Sequence, residues 1–258
     1  MSETIYSMYH PHIEEEIMVS PNAPLFIGLE CEIESVCDVA KGHHNFKIEQ
    51  DGSLRNSGVE FISPPITSDQ AVPQFKKLHS VIQYYKKADA FTARTSIHVH
   101  ANCANLEDVE VRNIVYMYAL FEEVFFMLCS PVRRSNIHCT PLTETYLPSF
   151  YKHQLPALLN KWHKYTALNI KPLSKQGTIE FRHMHGHDDA ELLGVWIKAI
   201  ERLIECGRNN PINKHTLTMG NIQEWFQEIF GHTKYSFLTP TLPTLLANSI
   251  LDIKLAVL

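Results

Sequence analysis

Residues able to do chemistry stand out first in the stretch LFIGLECEIESV, Leu25 to Val36, where Glu30, Glu32 and Glu34 alternate with apolar Ile27, Leu29, Cys31 and Ile33. An alternation of period two signals a β-strand, with the glutamates on one face and the apolar residues on the other. Same-face neighbours on a strand stand roughly 7 Å apart, because each residue rises about 3.3 Å. A row of like charges at that spacing repels itself, more strongly if it is enclosed, and calls for a compensating cation. Hard divalent ions meet that need through oxygen ligands.

Three further stretches carry matching groups. Glu60 stands alone in the otherwise apolar GVEFIS, His98 and His100 share one face of TARTSIHVHAN, and Glu180 and Arg182 share one face of GTIEFRH. Gathered on one surface, these carboxylates, imidazoles and guanidinium suit two or more metal ions and an anionic ligand. Mixed carboxylate and imidazole ligands fit magnesium or manganese better than zinc. Taken singly, each signal has a plain structural reading. A glutamate row is commonly a solvated sheet face, an HxH pair is commonly a surface or core pair, and Glu180 with Arg182 can be a cross-strand ion pair of little energetic weight. A polar face and an apolar back on all four strands together favour a site.

The elements that must position these groups follow from the pattern. Strands are predicted over Leu25–Val36, Gly58–Ser63, Thr92–Asn102 and Gly177–His183. Helices are predicted over Asp69–Ala88, Glu107–Leu128 with Asn105 as cap, Leu155–Tyr165, Ala190–Arg208 with Asp188 as cap and Glu191 completing a capping box, Ile222–Phe230 and Leu242–Leu258. The strands are two-faced, whereas strands buried in a parallel sheet read as continuous apolar runs. The expected class is α+β: a curved antiparallel sheet with helices packed on one face. Residues 1–24 read as an N-terminal arm and 25–258 as a single catalytic domain with C-terminal helices.

Composition narrows the function. The chain has 258 residues and a net charge of −5 with His neutral, which is no basic nucleic-acid footprint. No run reaches the roughly 18 apolar residues of a membrane span, and the polar, acidic start lacks the basic region and apolar run of a signal peptide. Six scattered cysteines without a CxxC pair suggest reduced thiols in a cytoplasm rather than a disulfide framework or zinc ribbon. No phosphate-cradling glycine loop is present, so the phosphates of any bound ATP must be held in another way.

The motifs GLECEIE (Gly28–Glu34), DGS followed by GVEFISPP (Asp51–Pro65), SIHVHAN (Ser96–Asn102) and GTIEFRHMHG (Gly177–Gly186), with a helix bearing Trp196 after them, resemble the amidoligase family. That family is similar in turn to the catalytic domain of glutamine synthetase and to glutamate–cysteine ligase. The resemblance covers about residues 25 to 205. It implies a glutamine-synthetase-like sheet with ATP and two or three magnesium ions (or manganese) lying on it. Glu30 and Glu32 match paired carboxylates that bind different ions, and Glu60, His98 and Glu180 match the remaining metal ligands. His100 matches a position near the nucleotide phosphates, where Asn102, Ser53 and Arg182 are also assigned. Arg182 matches an arginine facing a phosphate or the substrate carboxylate, and Asp51 is a weaker match. The resemblance leaves no room for the small N-terminal domain by which glutamine synthetase completes its site from a neighbouring subunit. His183, His185 and His187 are read as loop or surface histidines, with substrate contact as the alternative.

The chemistry this implies is amide formation. ATP phosphorylates a carboxylate to an acyl phosphate, and an amine then displaces phosphate. Metal ions, held in part by Glu32, and Arg182 neutralise the phosphoryl group in flight, and Glu34 or Asp51 takes the proton of the amine. The expected partners are small-molecule or peptide carboxylates and amines, with no nucleic acid, no membrane and a possible homo-oligomer. Two rival readings are a metal-dependent hydrolase using His98 and His100, and a catalytically inactive binding module.

Overall fold

The computed structural model describes residues 3–11, 25–40, 42–143 and 153–257. Its strands are β1 (Phe26–Ile33), β2 (Val36–Val39), β3 (Lys47–Glu49), β4 (Val59–Ile62), β5 (Ile66–Thr67), β6 (Ile82–Tyr84), β7 (Ser96–Asn102), β8 (Leu168–Asn169) and β9 (Thr178–His185). Its α-helices are α1 (Ile5–Tyr9), α2 (Ser68–Val81), α3 (Asp108–Met127), α4 (Leu155–Lys161), α5 (Leu173–Gln176), α6 (Ala190–Asn209), α7 (Met219–Phe230), α8 (Leu242–Leu245) and α9 (Ala247–Val257). Seven strands form one open antiparallel sheet in the order β3-β4-β1-β7-β9-β8, with β5 also paired to β1. β2 and β6 form a separate antiparallel ribbon.

The alternation read from the sequence decides which face is which. Ile27, Leu29, Cys31 and Ile33 of β1, Ile97 and Val99 of β7, and Ile179 and Phe181 of β9 are all buried in one core. The helices cover that face. Phe125 of α3 packs against Phe181 of β9, Trp196 of α6 and Phe230 of α7, with ring centroids 6.3, 5.6 and 5.1 Å apart. The glutamates and histidines are left on the opposite face. Among the described residues, no helix is long and apolar enough to cross a membrane.

Several boundaries differ from the sequence expectation, each for a local reason. The helix expected to reach Ala88 stops at Val81, because Ile82–Tyr84 leaves it to pair with β2. β1 ends at Ile33, and Ser35 turns the chain through a left-handed φ of 57°. Glu34 therefore leaves the row that Glu30 and Glu32 form. The cap of α3 is Glu107 rather than Asn105. Glu107 and Glu110 close a capping box in which the Glu107 backbone N–H donates to Glu110 Oε2 at 2.8 Å. α4 ends at Lys161 rather than Tyr165, and the tail helix is broken at Leu246 into α8 and α9. Leu258 lies outside the described residues. So does most of the expected arm, but residues 5–9 are helical and tied to the Leu106 and Ala104 carbonyls by the Ile5 and Tyr6 N–H groups.

β9 departs most. It runs two residues beyond its predicted end, to His185. Its register against β7 slips between Val99–Phe181 and Ile97–Met184, so β9 carries one extra residue, a β-bulge. The bulge reverses the alternation: Arg182 stays on the polar face with Glu180, while His183 and Met184 are both buried. His183 is thus neither a loop nor a surface residue. Its Nε2 lies 2.6 Å from Tyr118 Oη, which donates to Glu122 Oε1 at 2.7 Å. His185 Nδ1 accepts the Ser130 N–H and His187 Nδ1 accepts the Asp189 N–H. The buried Arg133 guanidinium donates to both bulge carbonyls, at 3.0 Å to His183 O and 2.6 Å to Arg182 O.

The start of α6 gives a direct test of a corrected assignment. Asp189, not Asp188, caps the helix, its Oδ1 accepting from the Glu191 and Leu192 N–H groups at 2.9 and 3.0 Å. Asp188 instead pairs with Lys87 at the surface. Asp189→Ala should cost about 1 kcal/mol, the usual cost of losing an N-cap. Asp188→Ala should cost less than about 1 kcal/mol, as expected for an exposed ion pair. Urea unfolding of both variants checks the order, and a larger loss for Asp188→Ala would reverse the assignment.

Candidate functional site

The strand register brings the predicted ligands together in pairs. Glu30 lies across from His98, Glu32 from Glu60, and His100 from Glu180. Paired side chains in an antiparallel sheet stand about 4.5–5.5 Å apart at Cβ, which is close enough to share an ion. Three groups of ligand atoms each lie within 4.8 Å of one another: Glu30 with Glu60 and His98, Glu30 with His100 and Glu180, and Glu32 with Asp51 and Glu60. Glu30 and Glu60 each belong to two groups. His100, expected beside nucleotide phosphates, belongs to the group with Glu30 and Glu180.

A cavity of about 730 Å³ opens over this floor. Glu30, Glu32, Asp51, Glu60 and His98 line its acidic side, with Ser53 beside them. Arg55, Arg94, Lys164 and Arg182 bring positive charge to the same cavity. Among its described lining residues, Glu34, His100, Asn102 and Glu180 are absent. Glu180 and His100 lie in the sheet beneath. Asn102 ends β7 opposite Thr178, its Oδ1 accepting the Ala104 N–H at 3.1 Å. Asp51 Oδ1 accepts the Ser53 N–H at 2.6 Å, which fixes the DGS turn. Glu34 is fully buried, and its carboxylate accepts from the Arg55 N–H, Thr92 Oγ1 and Arg94 Nε at 2.6, 2.9 and 3.0 Å.

Each carboxylate is compensated differently. Burial would raise Glu30, but hydrogen bonding and charge from His100 and His98 outweigh it and hold the carboxyl far below the usual range. His98 Nδ1 and His100 Nε2 each come within 3.1 Å of a Glu30 oxygen. Burial would lower His100, yet Glu30 and then Glu180 hold it above its ordinary value. His100 Nε2 nevertheless has no aligned hydrogen-bond partner and is shut away from solvent. A buried ring nitrogen whose one near contact, Glu30 at 3.1 Å, is poorly aligned, and which stands beside two carboxylates, is what a divalent ion would satisfy better. Glu180 Oε2 accepts from Asn169 Nδ2 at 2.6 Å, and Oε1 meets Arg182. Arg182 also donates from Nε to His138 O at 3.3 Å and lies over the Tyr165 ring, 5.8 Å from its centroid.

Sequence reasoning gave no role to Ser96, although it begins SIHVHAN two residues before His98 and so shares its face. Ser96 is 3% exposed. Its Oγ donates to Glu32 Oε2 at 2.5 Å and lies 2.8 Å from His98 Nε2. With its proton given to Glu32, the hydroxyl accepts from His98, so Nε2 carries the ring proton on that side. Nδ1 is then the nitrogen aimed at Glu30, 3.1 Å away, and Glu180, 3.5 Å away, and the one an ion would take. Outer partners that fix the tautomer of a ligating histidine commonly govern affinity by about 10- to 100-fold. Ser96→Ala should therefore weaken Mn²⁺ binding by about tenfold or more, and Ser96→Thr should retain most of it. A calorimetric titration decides, and an unchanged affinity in Ser96→Ala would remove Ser96 from the site.

Among the described residues, Glu60 has no such partner. Burial, followed by the charges of Glu30, Glu32, Asp51 and Glu49, pushes its carboxyl up to about 8. The folded, metal-free protein therefore keeps a proton there that the unfolded chain gives up near 4.5. Stability without metal should fall as pH rises between those values. An ion must displace that proton, so metal affinity should rise through the same window. Glu60→Gln should raise the Tm of the metal-free protein at about pH 9 and leave it little changed near pH 4, while weakening Mn²⁺ binding and flattening its pH dependence. Melting curves with chelator and Mn²⁺ titrations at both pH values test this. A lower Tm for the variant at the higher pH would mean that Glu60 is satisfied in another way.

No curated protein matches the chain. A family model described as a putative amidoligase enzyme matches residues 32–204, about two thirds of the chain. The matched span holds Glu32, Glu60, His98, His100, Glu180 and Arg182, and begins just after Glu30. The antiparallel sheet, the three ligand groups on its polar face and this match lead to one assignment: the chain belongs to the amidoligase enzyme family.

Proposed function

We propose that the protein is an ATP-dependent carboxylate–amine ligase, its residues 25–258 forming a catalytic domain of the glutamine synthetase kind. The observation that carries this reading is the overlap of three ligand groups through Glu30 and Glu60 on the floor of a cavity that also holds cations. A single hydrolytic ion would need one such group. Overlapping groups beside Arg55, Arg94, Lys164 and Arg182 suit several divalent ions clustered with a polyphosphate. Magnesium, or manganese, held there would neutralise the charge of the phosphates and so stand in for a glycine loop.

In the proposed reaction a substrate carboxylate oxygen attacks the γ-phosphorus of ATP, and the bond to ADP breaks. The amine then attacks the acyl carbon, and phosphate leaves with the carboxyl oxygen it had joined. Arg182 lines the cavity, and there it would neutralise charge as it develops on the transferring group, its planar fork able to grip two oxygens at once. Of the two candidate proton acceptors, Asp51 faces the cavity. Glu34 is occupied by Arg94, Arg55 and Thr92, which together outweigh its burial and keep its carboxyl below the usual range. Glu34 is thus suited to holding Arg94 at the rim, and Asp51 is the better candidate to take the proton of the amine.

A screen for ADP and phosphate release against pools of carboxylic acids, amino acids, peptides and polyamines tests the reading. Release should require a divalent ion, an acid and an amine together, and hydroxylamine in place of the amine should trap the activated acid as a hydroxamate. Release that ignores the acid, or amide cleavage without ATP, would count against a ligase.

A further inference from the structure

The bulge in β9 decides where the strand changes parity, and the residue pattern does not. Up to Phe181 the pairing runs in step with Ala101, His100 and Val99 of β7, and from Met184 onward it is one residue out of step. The extra residue therefore sits opposite His98. A one-residue slip turns every later side chain to the other face. Had the extra residue stood opposite His100 instead, Arg182 would oppose Val99, which is buried in the core, and opposed residues share a face. Arg182 lines the cavity because the slip comes no earlier.

Arg133 marks the place. It belongs to a short 3₁₀ turn, Pro131–Ser135, lines the cavity and is 2% exposed. A bulge disrupts the ladder and leaves backbone groups to find other partners. Arg133 donates from Nε to His183 O at 3.0 Å and from Nη2 to Arg182 O at 2.6 Å, the two carbonyls at the slip. A guanidinium presents its donors in a fixed fork, which suits the carbonyls of adjacent residues. Among the described residues no carboxylate is paired with Arg133. A buried cation is rarely kept without such a partner, so its place here is tied to the carbonyls it grips. The same segment holds β9 at two more points. The Ser130 N–H donates to His185 Nδ1 at 3.1 Å, and His138 O accepts from Arg182 Nε at 3.3 Å. Asn136 Nδ2 reaches Ala93 O, beside Arg94, at 3.2 Å. Residues 130–138 thus clasp both the backbone of the bulge and the guanidinium that the bulge aims.

We infer that Arg133 is a positioning residue: by holding the two carbonyls of the bulge it fixes where β9 changes parity, and so keeps Arg182 aimed into the cavity. It acts through Arg182 and does not itself meet the anion. The inference rests on the ligase reading only for what Arg182 then grips.

The test reads Arg182 directly. Its Nε–H resonance is the one lost from the nitrogen–proton spectrum of Arg182→Lys, and in the parent it belongs to a bonded, largely buried group. In the full-length, metal-free Arg133→Lys protein it should move toward the position of exposed arginines and exchange faster with water, because an ammonium keeps the charge but lacks the fork that holds both carbonyls. Methylguanidinium added to Arg133→Ala should restore it, and methylammonium should not. His185→Leu frees only the Ser130 N–H. It is the milder variant should Arg133→Lys not fold, and it should shift the resonance the same way. An unmoved resonance in these variants, with a lowered Tm, would make Arg133 a support of the core alone and overturn the inference. A second arm titrates the Mn²⁺-loaded proteins with tripolyphosphate. Arg133→Lys and Arg182→Lys should each weaken binding about tenfold, and both together no more than either, since residues that act through one contact do not add. Additive losses would mean that Arg133 meets the anion itself, and would equally overturn the inference. If the parent does not bind tripolyphosphate, the ligase reading loses its support, while the Arg182 resonance still decides the role of Arg133.

Discussion

Carboxylates crowded on a half-desolvated sheet face repel one another, and the polar side of this protein is organised around that repulsion. An antiparallel sheet brings opposite residues close, so Glu30, Glu32, Glu60 and Glu180 cannot avoid one another once their strands pair in the observed register. The chain meets the cost residue by residue. His98 and His100 face Glu30, Ser96 serves Glu32, and Asn169 and Arg182 serve Glu180. Glu60 alone is left to keep a proton. A bound divalent ion would replace these separate solutions with one, so affinity for metal and fitness of the fold are set by the same contacts.

The second constraint is parity. A regular strand would send Arg182 and Met184 to one face and His183 to the other. The bulge in β9 lets Arg182 remain beside Glu180 while both His183 and Met184 enter the core. Bulges re-aim side chains at sites of this kind, and this one is held from two directions. Arg133 binds its carbonyls, and His183 is tied through Tyr118 to Glu122. Glu122 in turn accepts from the Leu142 and Thr143 N–H groups. A buried polar network fixes the arrangement of a core through the partners its members share, and His183 Nδ1 is left without one among the described residues. Here it links the placement of Arg182 to α3 and to the chain beyond it.

Much of this was legible in the sequence wherever periodicity carried the information. The alternation in LFIGLECEIESV placed Glu30 and Glu32 on one face and the core residues on the other, as the buried Ile27, Leu29, Cys31 and Ile33 show. The same logic put His98 and His100 on one polar face, and could have reached Ser96 one step earlier on it; that His98 lies across from Glu30 came from the observed register. What failed were breaks in period. Ser35 turns with a positive φ and takes Glu34 out of the row. Ile82 leaves a helix for a strand because a ribbon partner exists far along the chain. The β9 bulge reverses the face of His183 without any change in residue pattern. Arg55, Arg94, Lys164 and Tyr165 come to the cavity from loops, whose side chains follow no period, so no spacing rule could have gathered them.

The loop residues matter because the acidic floor alone would repel the phosphates of a nucleotide. A protein of net charge −5 can hold a polyanion only where the local field is reversed. Ions on the floor would begin that reversal, and the guanidinium and ammonium groups from the loops continue it at the rim, where Arg94 is steadied by Glu34. Among the described residues, Arg182 has a position that serves both layers. It contacts Glu180 on the floor, its Nε reaches His138 O, and its guanidinium lies over Tyr165. If an ion took Glu180 as a ligand, the contact between Glu180 and Arg182 would weaken, and the guanidinium would become free to meet an anion above it. Loading the floor and arming the rim would then be one event, so that the site becomes attractive to phosphate only once its metal is in place.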